Sequence, residues 1–218
     1  MHGKSLNLLL VWALCCGLYK EYYMIKYIIT IDCPLKCSYC ITKNLKIKKP
    51  KVDYTFLTTF RNICYHYGSI EKDIMYTGGE PTIDKEYLFL VKSIAEFYFK
   101  NQYIVTANEE VLNDKDYNKF DTVMFSLHGR IPKEVKLDIP VYCGCMEHEY
   151  NDYLPFILKQ KGYKGLTISE NQRGNIKFNK KLPKIKNFTY KINRIGKCMN
   201  DNIILPDLNI INNFKNYL

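Results

Sequence analysis

Strand-like and helix-like segments alternate along most of this chain, and the alternation limits the folds open to it. The first strand pattern is the apolar, β-branched run Ile25 to Ile31, typical of a parallel strand that is buried on both faces. Strict alternation predicts parallel strands joined by right-handed crossovers, in an α/β sheet or barrel. A complete eight-stranded barrel takes about 250 residues, and the roughly 195 from Met24 onward predict an open partial barrel instead.

The pattern predicts six core strands with helices between most of them. After the first strand, the predicted strands are Asp73 to Tyr76, Tyr103 to Thr106, Thr122 to Leu127, Pro140 to Cys143 and Gly165 to Ser169. The predicted helices are Thr55 to Tyr67 ended by Gly68, one capped by Asp84 and reaching about Lys100, Glu110 to Asn118, and Tyr150 to Lys161. Strands four and five are so close in sequence that any helix between them must be truncated. Two further strand-like pieces are Phe188 to Ile192 and Asn202 to Leu205.

No internal repeat or linker marks a second folded domain. We expect a core over residues 24–170, preceded by an apolar segment over residues 1–23 and followed by a short C-terminal extension over residues 171–218.

The N-terminal segment contains an apolar run from Leu6 to Leu18 behind Lys4. The run resembles part of a signal peptide and is too short to span a bilayer comfortably. We expect Met24 to be the natural start and the segment before it to be an over-extended reading frame. A membrane-surface anchor, with contact through residues 5–19, and a buried N-terminal helix are the alternatives.

The formal net charge of +10 is carried mostly by lysine rather than arginine. Sites that bind phosphates or bases favour the forked guanidinium of arginine. The chain is rich in Lys, Ile, Asn and Tyr, whose codons are AT-rich, so a coding bias explains the basic composition at least as well as a partner does. Composition therefore does not favour a nucleic-acid partner. The run Lys43 to Lys51 is interpreted as a solvated loop, with an acidic substrate or redox partner as the alternative.

Three of the nine cysteines, Cys33, Cys37 and Cys40, are crowded into one loop directly after the first strand. This spacing is not that of a disulfide framework and indicates metal binding in a reducing compartment. Ligands of α/β proteins usually bind at this carboxyl end of the sheet. A closed zinc site would need a fourth protein ligand. A four-iron cluster held by three cysteines instead keeps one iron open for another ligand.

A second motif, GGEP over Gly78 to Pro81, follows the second strand. Together the two motifs resemble those of radical S-adenosylmethionine (radical SAM) enzymes. Their signature is C-x3-C-x2-C with an aromatic residue before the last cysteine, which here is Tyr39. The resemblance covers about Ile25 to Ser169 and implies an open partial (β/α)6 barrel.

The resemblance also implies roles for individual residues. Cys33, Cys37 and Cys40 would hold three irons of a [4Fe-4S] cluster, and the methionine part of SAM would chelate the fourth iron. Glu80 would accept a hydrogen bond from the ammonium group of SAM, and the two glycines before it would let the backbone approach that group. The implied glycines are Gly78 and Gly79, and the other implied cofactor contacts are Tyr39 near the adenine, Ser126 at the end of strand four and, more loosely, Asn108 and Arg173.

The implied activity is reductive cleavage of SAM to a 5′-deoxyadenosyl radical, which abstracts hydrogen from a substrate held away from water. The motifs leave the substrate open among a peptide, a nucleotide and a small metabolite. A reducing partner such as flavodoxin or ferredoxin would supply the electron, and the expected location is the cytoplasm. The alternative is a non-catalytic iron–sulfur or zinc-binding protein that retains the fold.

The remaining cysteines and one histidine have competing interpretations. Cys64 lies on the apolar stripe of the first helix and is expected to be a small buried hydrophobe. Cys143 and Cys145, predicted at the end of strand five facing the mouth of the site, are with Cys198 either buried thiols or ligands of a second metal. His128 is either a substrate contact or acid–base group, or a loop histidine bonded to backbone.

Overall fold

The structure is a computed structural model that describes residues 24–35, 37, 50–169, 178–193 and 203–211. These residues form two compact units, one from the described parts of 24–104 with 203–211, and the other from 105–169 with 178–193. Residues 1–23 lie outside the described part, so the expectations about the N-terminal segment remain predictions. No helix within the described ranges is long and apolar enough to cross a membrane.

The described residues contain nine strands and three α-helices. The strands are β1 Ile25–Thr30, β2 Asp73–Gly78, β3 Asn101–Thr106, β4 Thr122–Ser126, β5 Val141–Met146, β6 Gly165–Ser169, β7 Thr189–Asn193, β8 Ile203–Ile204 and β9 Ile210–Ile211. The α-helices are α1 Tyr54–Gly68, α2 Lys85–Ala95 and α3 Leu154–Gln160.

The first unit is built on parallel strands in the order β3-β2-β1-β8, with β9 antiparallel to β8. The two helices α1 and α2 follow β1 and β2, as parallel pairing requires a crossover. Helix α1 buries an apolar stripe and packs on the sheet through Phe60, whose ring lies 5.0 Å from that of Tyr27 in β1. Because successive parallel strands are joined by crossovers, the ends of β1 and β2 that carry the two motifs lie side by side.

The second unit is built on the parallel strands β4-β5-β6-β7. Helix α3 connects β5 to β6 and buries Leu154, Pro155 and Leu158. The boundary between the two units falls within β3. All six predicted core strands are confirmed, with ends that differ by a few residues. The predicted parallel α/β architecture is confirmed at this level.

Several predicted helices are shorter than expected or absent. The segment after β3 forms two short 3-10 helices, Glu109–Asn113 and Lys115–Lys119, rather than the predicted helix. Asn108 and Asp114 each cap one of them through a side-chain oxygen, so the backbone is stopped and restarted before an α-helix can extend. Residues 127–140, between β4 and β5, contain no helix.

The ends of the α-helices also differ from the prediction. Helix α2 begins at Lys85, after the predicted cap Asp84, but ends at Ala95 rather than near Lys100. Helix α3 begins at Leu154 rather than Tyr150, because the side chain of Asn151 accepts the first backbone N–H groups of the helix. Gly68 was predicted to end α1 but lies inside it, at the last position.

Candidate active site

The cysteine loop begins where β1 ends. Thr30, the last residue of β1, accepts a hydrogen bond from the backbone N–H of Asp32 through its hydroxyl oxygen, at 3.1 Å. This short side-chain cap turns the chain out of the strand directly before Cys33. Cys33 and Cys37 are both half-buried on the loop that follows. Cys40 and Tyr39 lie outside the described residues.

Two backbone hydrogen bonds join the second motif to the base of the cysteine loop. The N–H of Gly79 donates to the carbonyl oxygen of Thr30 at 2.6 Å, and the N–H of Glu80 donates to that of Asp32 at 2.7 Å. The parallel pairing of β1 and β2 therefore continues past the strand ends as far as the residue before Cys33. The two sequence motifs, separated by a helix along the chain, are neighbours in the folded unit.

The close approach explains both glycines of the second motif. A Cβ atom on Gly78 would lie 2.3 Å from the carbonyl oxygen of Thr30, and one on Gly79 would lie 2.2 Å from that of Asp32. Gly78 also has a φ of 133°, which side-chain-bearing residues rarely adopt. The glycines are thus required by the backbone of this same chain. The approach of a cofactor, which the resemblance implies as the reason for both glycines, is not needed to explain them.

Glu80 is buried, with 3% of its surface exposed. Its Oε1 atom accepts from the Thr82 hydroxyl at 2.7 Å and from the Thr82 backbone N–H at 3.2 Å. The carboxylate thereby caps the short 3-10 helix Pro81–Asp84. The side chain is therefore enclosed and held in place, unlike that of an exposed turn residue.

The residues of this site fit an iron–sulfur cluster with SAM, as far as they are described. Thiolates are the usual ligands of such clusters, and two of the three predicted ones, Cys33 and Cys37, are half-buried. Cys33 directly follows Asp32, whose carbonyl oxygen accepts from the Glu80 backbone N–H. A buried carboxylate is suited to a cationic ammonium group. Within the described residues, which omit Cys40, no three His, Cys, Asp or Glu side chains form a metal-binding group by themselves.

In the second unit, Ser126 ends β4 and is buried, with 4% of its surface exposed. Its backbone carbonyl accepts a hydrogen bond from Arg130 at 3.2 Å, and the same guanidinium donates to the carbonyls of Ala107 and Leu127. Arg130 also lies over the Phe125 ring, 5.4 Å from its centre, and pairs with Glu109 at 3.8 Å. Arg130 therefore fixes the end of β4 to the segment after β3. Sequence reasoning missed this residue, although its place in Ser-Leu-His-Gly-Arg, after two turn residues, was a usable signal.

Asn108 has a structural role in this unit. Its side-chain oxygen accepts from the Glu110 backbone N–H at 3.1 Å and caps the following 3-10 helix. A cofactor contact by Asn108 remains a prediction beside this role. Arg173 lies outside the described residues.

His128 occupies a strained turn after β4. Its φ is 48°, in the left-handed region, and it is followed by Gly129 with a φ of 72°. Burial, assisted by the positive charge of Arg130, lowers the pKa of the His128 imidazole to about 4. The side chain is therefore neutral at physiological pH, with one ring nitrogen able to donate a hydrogen bond and the other able to accept one.

The thiols outside the first motif that the structure describes are buried. Cys64 is fully buried in α1, as expected, and burial raises its pKa to about 12. Cys143 and Cys145 lie within β5 rather than at its end, and burial raises the pKa of both thiols. Because Cys143 pairs in register with Phe125 and not with Ser126, these thiols lie on the opposite face of the sheet from Ser126. This placement favours buried thiols over a second metal. Cys198 lies outside the described residues.

Comparison with known proteins gives one consistent result. The chain is 28% identical over 90 residues to the GTP 3',8-cyclase of Haemophilus influenzae (strain PittEE), across 41% of this chain and 27% of that protein. The same values describe the enzyme of Pasteurella multocida (strain Pm70). The match to the GTP 3',8-cyclase of Tolumonas auensis is 25% over 118 residues, across 53% of this chain and 34% of that protein. No family model matches the chain.

These relatives are radical SAM enzymes, and the similarity, together with the two motifs at the ends of β1 and β2, supports the radical SAM superfamily for this chain. The alignments span only about a quarter to a third of the length of these curated relatives.

Proposed function

We propose that this chain is a radical SAM enzyme with the core fold of an open partial (β/α)6 barrel. It binds a [4Fe-4S] cluster through Cys33, Cys37 and Cys40. It binds SAM through Glu80 and through residues at neighbouring strand ends, and it acts in the cytoplasm with flavodoxin or ferredoxin as reductant. The remaining proposed cofactor contacts are Tyr39, Gly78, Gly79, Ser126, Asn108 and Arg173.

The observation that carries the proposal is the pair of hydrogen bonds from Gly79 and Glu80 to the carbonyls of Thr30 and Asp32. They hold the backbone of Glu80, whose side chain is buried, beside the start of the cysteine loop. A carboxylate in that position is suited to bind the ammonium group of a ligand attached at the loop, since charge-assisted hydrogen bonds are stronger than neutral ones.

The residues of the chain have distinct tasks in this activity. When bound, the cluster and SAM supply the electron transfer and the 5′-deoxyadenosyl radical that takes hydrogen from the substrate. Glu80 orients the amino acid part of SAM, and the bonds of Arg130 fix the end of β4 that carries Ser126. The buried apolar side chains of the described strands keep water out of the sheet that carries Glu80 and Ser126.

Anaerobic reconstitution of the full chain tests the proposal. We expect about four irons per chain, as a four-iron cluster requires, and formation of 5′-deoxyadenosine from SAM with dithionite. One tightly bound zinc without cleavage would support the non-catalytic alternative and refute the proposal. The variant Cys37→Ala is the matched control, because two remaining thiolates are too few to hold the cluster. Its absorbance near 400 nm, where such clusters typically absorb, should be lost.

The proposal leaves the substrate open among a peptide, a nucleotide and a small metabolite. The relatives act on GTP, as their names state. A nucleoside triphosphate is therefore the first substrate to test, by following its consumption together with that of SAM in the reconstituted protein.

A further inference from the structure

The four strands of the second unit have two faces of different chemistry. One face is apolar and buried, and it carries Val123, Phe125, Val141, Cys143, Cys145, Leu166 and Ile168. The other face carries Met124, Tyr142 and Met146 together with small and polar side chains, and it is called the polar face below. A parallel sheet buried on both faces normally has apolar side chains on both, so the small and polar positions of this face need a separate explanation.

Four residues of the polar face form a continuous row across the sheet. Ser126 of β4 pairs in register with Gly144 of β5, Gly144 with Thr167 of β6, and Thr167 with Lys191 of β7. Residues in parallel register point to the same face, so the three side chains of the row lie at one level of the sheet. Gly144 has no side chain, which leaves the position between Ser126 and Thr167 without one. Two strand spacings, about 10 Å, separate those two residues.

Thr167 provides an independent sign that the row binds a ligand. The residue is fully buried, with 0% of its surface exposed. Its hydroxyl oxygen has no hydrogen-bond partner in the part of the chain that the structure describes. Buried hydroxyl groups are nearly always paired, because an unpaired one is costly, and exceptions call for a specific cause. A hydroxyl kept for a bound ligand is such a cause.

The neighbour of Thr167 in the row indicates the chemistry of that ligand. Lys191 is half-buried at the same level of the same face and supplies a positive charge. A hydroxyl donor beside an ammonium group suits an anionic oxygen. We propose that Thr167 and Lys191 bind an anionic group of the substrate, a phosphate or a carboxylate, with Gly144 leaving room for the substrate beside Ser126. The inference rests on the proposed function, which makes Ser126 a cofactor contact.

The experiment measures binding of two anionic probes, GTP and citrate, to the full chain reconstituted with iron and sulfide in the presence of SAM. We expect at least one probe to bind, and Thr167→Val and Lys191→Met each to weaken its binding roughly tenfold or more. If the variants weaken binding of GTP alone, the anionic group is a phosphate. If they weaken binding of citrate alone, it is a carboxylate. Binding of neither probe, or binding unchanged in both variants, would overturn the inference.

Two control variants separate this site from general effects of charge and packing. Thr122→Val removes a threonine hydroxyl that is already bonded, to the Asp121 carbonyl, and Lys164→Met removes the same charge from an exposed position before β6. Neither control variant should change probe binding. If Lys164→Met weakened binding as much as Lys191→Met does, the effect would be one of net charge and the proposed site would be refuted.

The stability of the ligand-free protein distinguishes an unpaired Thr167 hydroxyl from one with a structural partner. Thr167→Val replaces an unpaired hydroxyl by a methyl group of the same shape, so the melting temperature of the ligand-free protein should rise by a few degrees. A clear fall would show that Thr167 has a structural partner and would contradict the inference. Absence of 5′-deoxyadenosine from the unmodified protein would count against the proposed function, whereas probe binding independent of Thr167 would count against this inference alone.

Discussion

Glu80 shows how one side chain can serve both the fold and a ligand. One carboxylate oxygen accepts both hydrogen bonds from Thr82. Those two bonds explain the burial of the residue without any ligand, so burial alone does not distinguish the two roles. The charge of the side chain does distinguish them, because the cap needs only an oxygen acceptor and a bound ammonium group favours a carboxylate.

We therefore expect Glu80→Gln to keep the fold and the cluster while weakening SAM binding. The amide oxygen of glutamine can still accept from Thr82, but the charge is gone. Hydrogen bonds to charged groups contribute about 1.5–3 kcal/mol, so the affinity for SAM should fall roughly ten- to a hundredfold. The measurement is SAM affinity on reconstituted protein alongside iron content.

The control is Glu86→Gln, which makes the same change at an exposed position in the first turn of α2. It should leave both quantities as they were. Unchanged SAM affinity in Glu80→Gln would mean that the second motif is only a turn, and would remove the proposed role of Glu80.

His128 predicts a specific acid sensitivity. Its pKa is lowered to about 4 in the folded chain, first by burial and then by Arg130, from an ordinary value near 6.5. The folded state thus binds its proton less readily than the unfolded state. Protonation of His128 therefore does not reduce the free energy of unfolding above about pH 6.5. As the pH falls toward 4, the free energy of unfolding decreases by on the order of 2 kcal/mol.

The variant His128→Asn should reduce this loss of stability between pH 7 and pH 4.5. Asparagine tolerates the positive φ of 48° at this position, so the turn itself should be kept. Urea unfolding at the two pH values measures the difference. His66→Asn, on the exposed side of α1, is the control and should show the pH dependence of the unmodified protein. An equal pH dependence in His128→Asn would refute the prediction.

At the scale of elements, the junction between the ends of β1 and β2 is the most constrained contact of the candidate site. The second motif lies against backbone atoms of residues 30–32, which cannot move aside as a flexible side chain can. We expect Gly79→Ala to displace the start of the cysteine loop, because its Cβ would lie 2.2 Å from the Asp32 carbonyl oxygen. Iron content after reconstitution should fall strongly.

Gly129→Ala is the comparison for that prediction. Gly129 also has a positive φ, of 72°, but its nearest contact to an added Cβ is a side-chain oxygen of Glu149 at 3.9 Å. The substitution strains the backbone by about 1 kcal/mol without a clash, so the variant should be less stable and still load iron. Full iron loading by Gly79→Ala would show that the contact between the motifs is not required for the cluster.

The strands were predictable from sequence more reliably than the helices. Runs such as Ile25 to Ile31 are apolar throughout and can be satisfied only by a buried strand. Helix ends depend on side-chain hydrogen bonds such as those of Asn108 and Asn151, which compete with helix extension and leave a weak sequence signal. Gly68 was likewise not interpretable from sequence alone, because its cause is a tertiary contact. The carbonyl oxygen of Tyr98 would lie 2.6 Å from a Cβ atom added at Gly68.

At the scale of the whole molecule, sequence located the candidate site through its motifs but not the contacts that build it. The motifs of Cys33 and Glu80 were recognisable because their residue types and spacing are specific. The hydrogen bonds that join them, and the three carbonyls held by Arg130, depend on strand register, which no local pattern encodes. The unpaired hydroxyl of Thr167 could not be found from sequence for the same reason.

The start of the folded core at Met24 predicts that residues 24–218 are sufficient for activity. Strand β1 begins at Ile25, which is fully buried and pairs with Ile74, and Met24 before it is also buried. We expect residues 24–218 alone to be soluble, to load iron and to cleave SAM, as measured by 5′-deoxyadenosine formation. A chain beginning at Ile28 would lose the buried Ile25 and Tyr27 and should not fold, because removing large core side chains costs about 2–5 kcal/mol each. Insoluble protein or loss of cleavage in the 24–218 chain would instead show that residues 1–23 belong to the working enzyme.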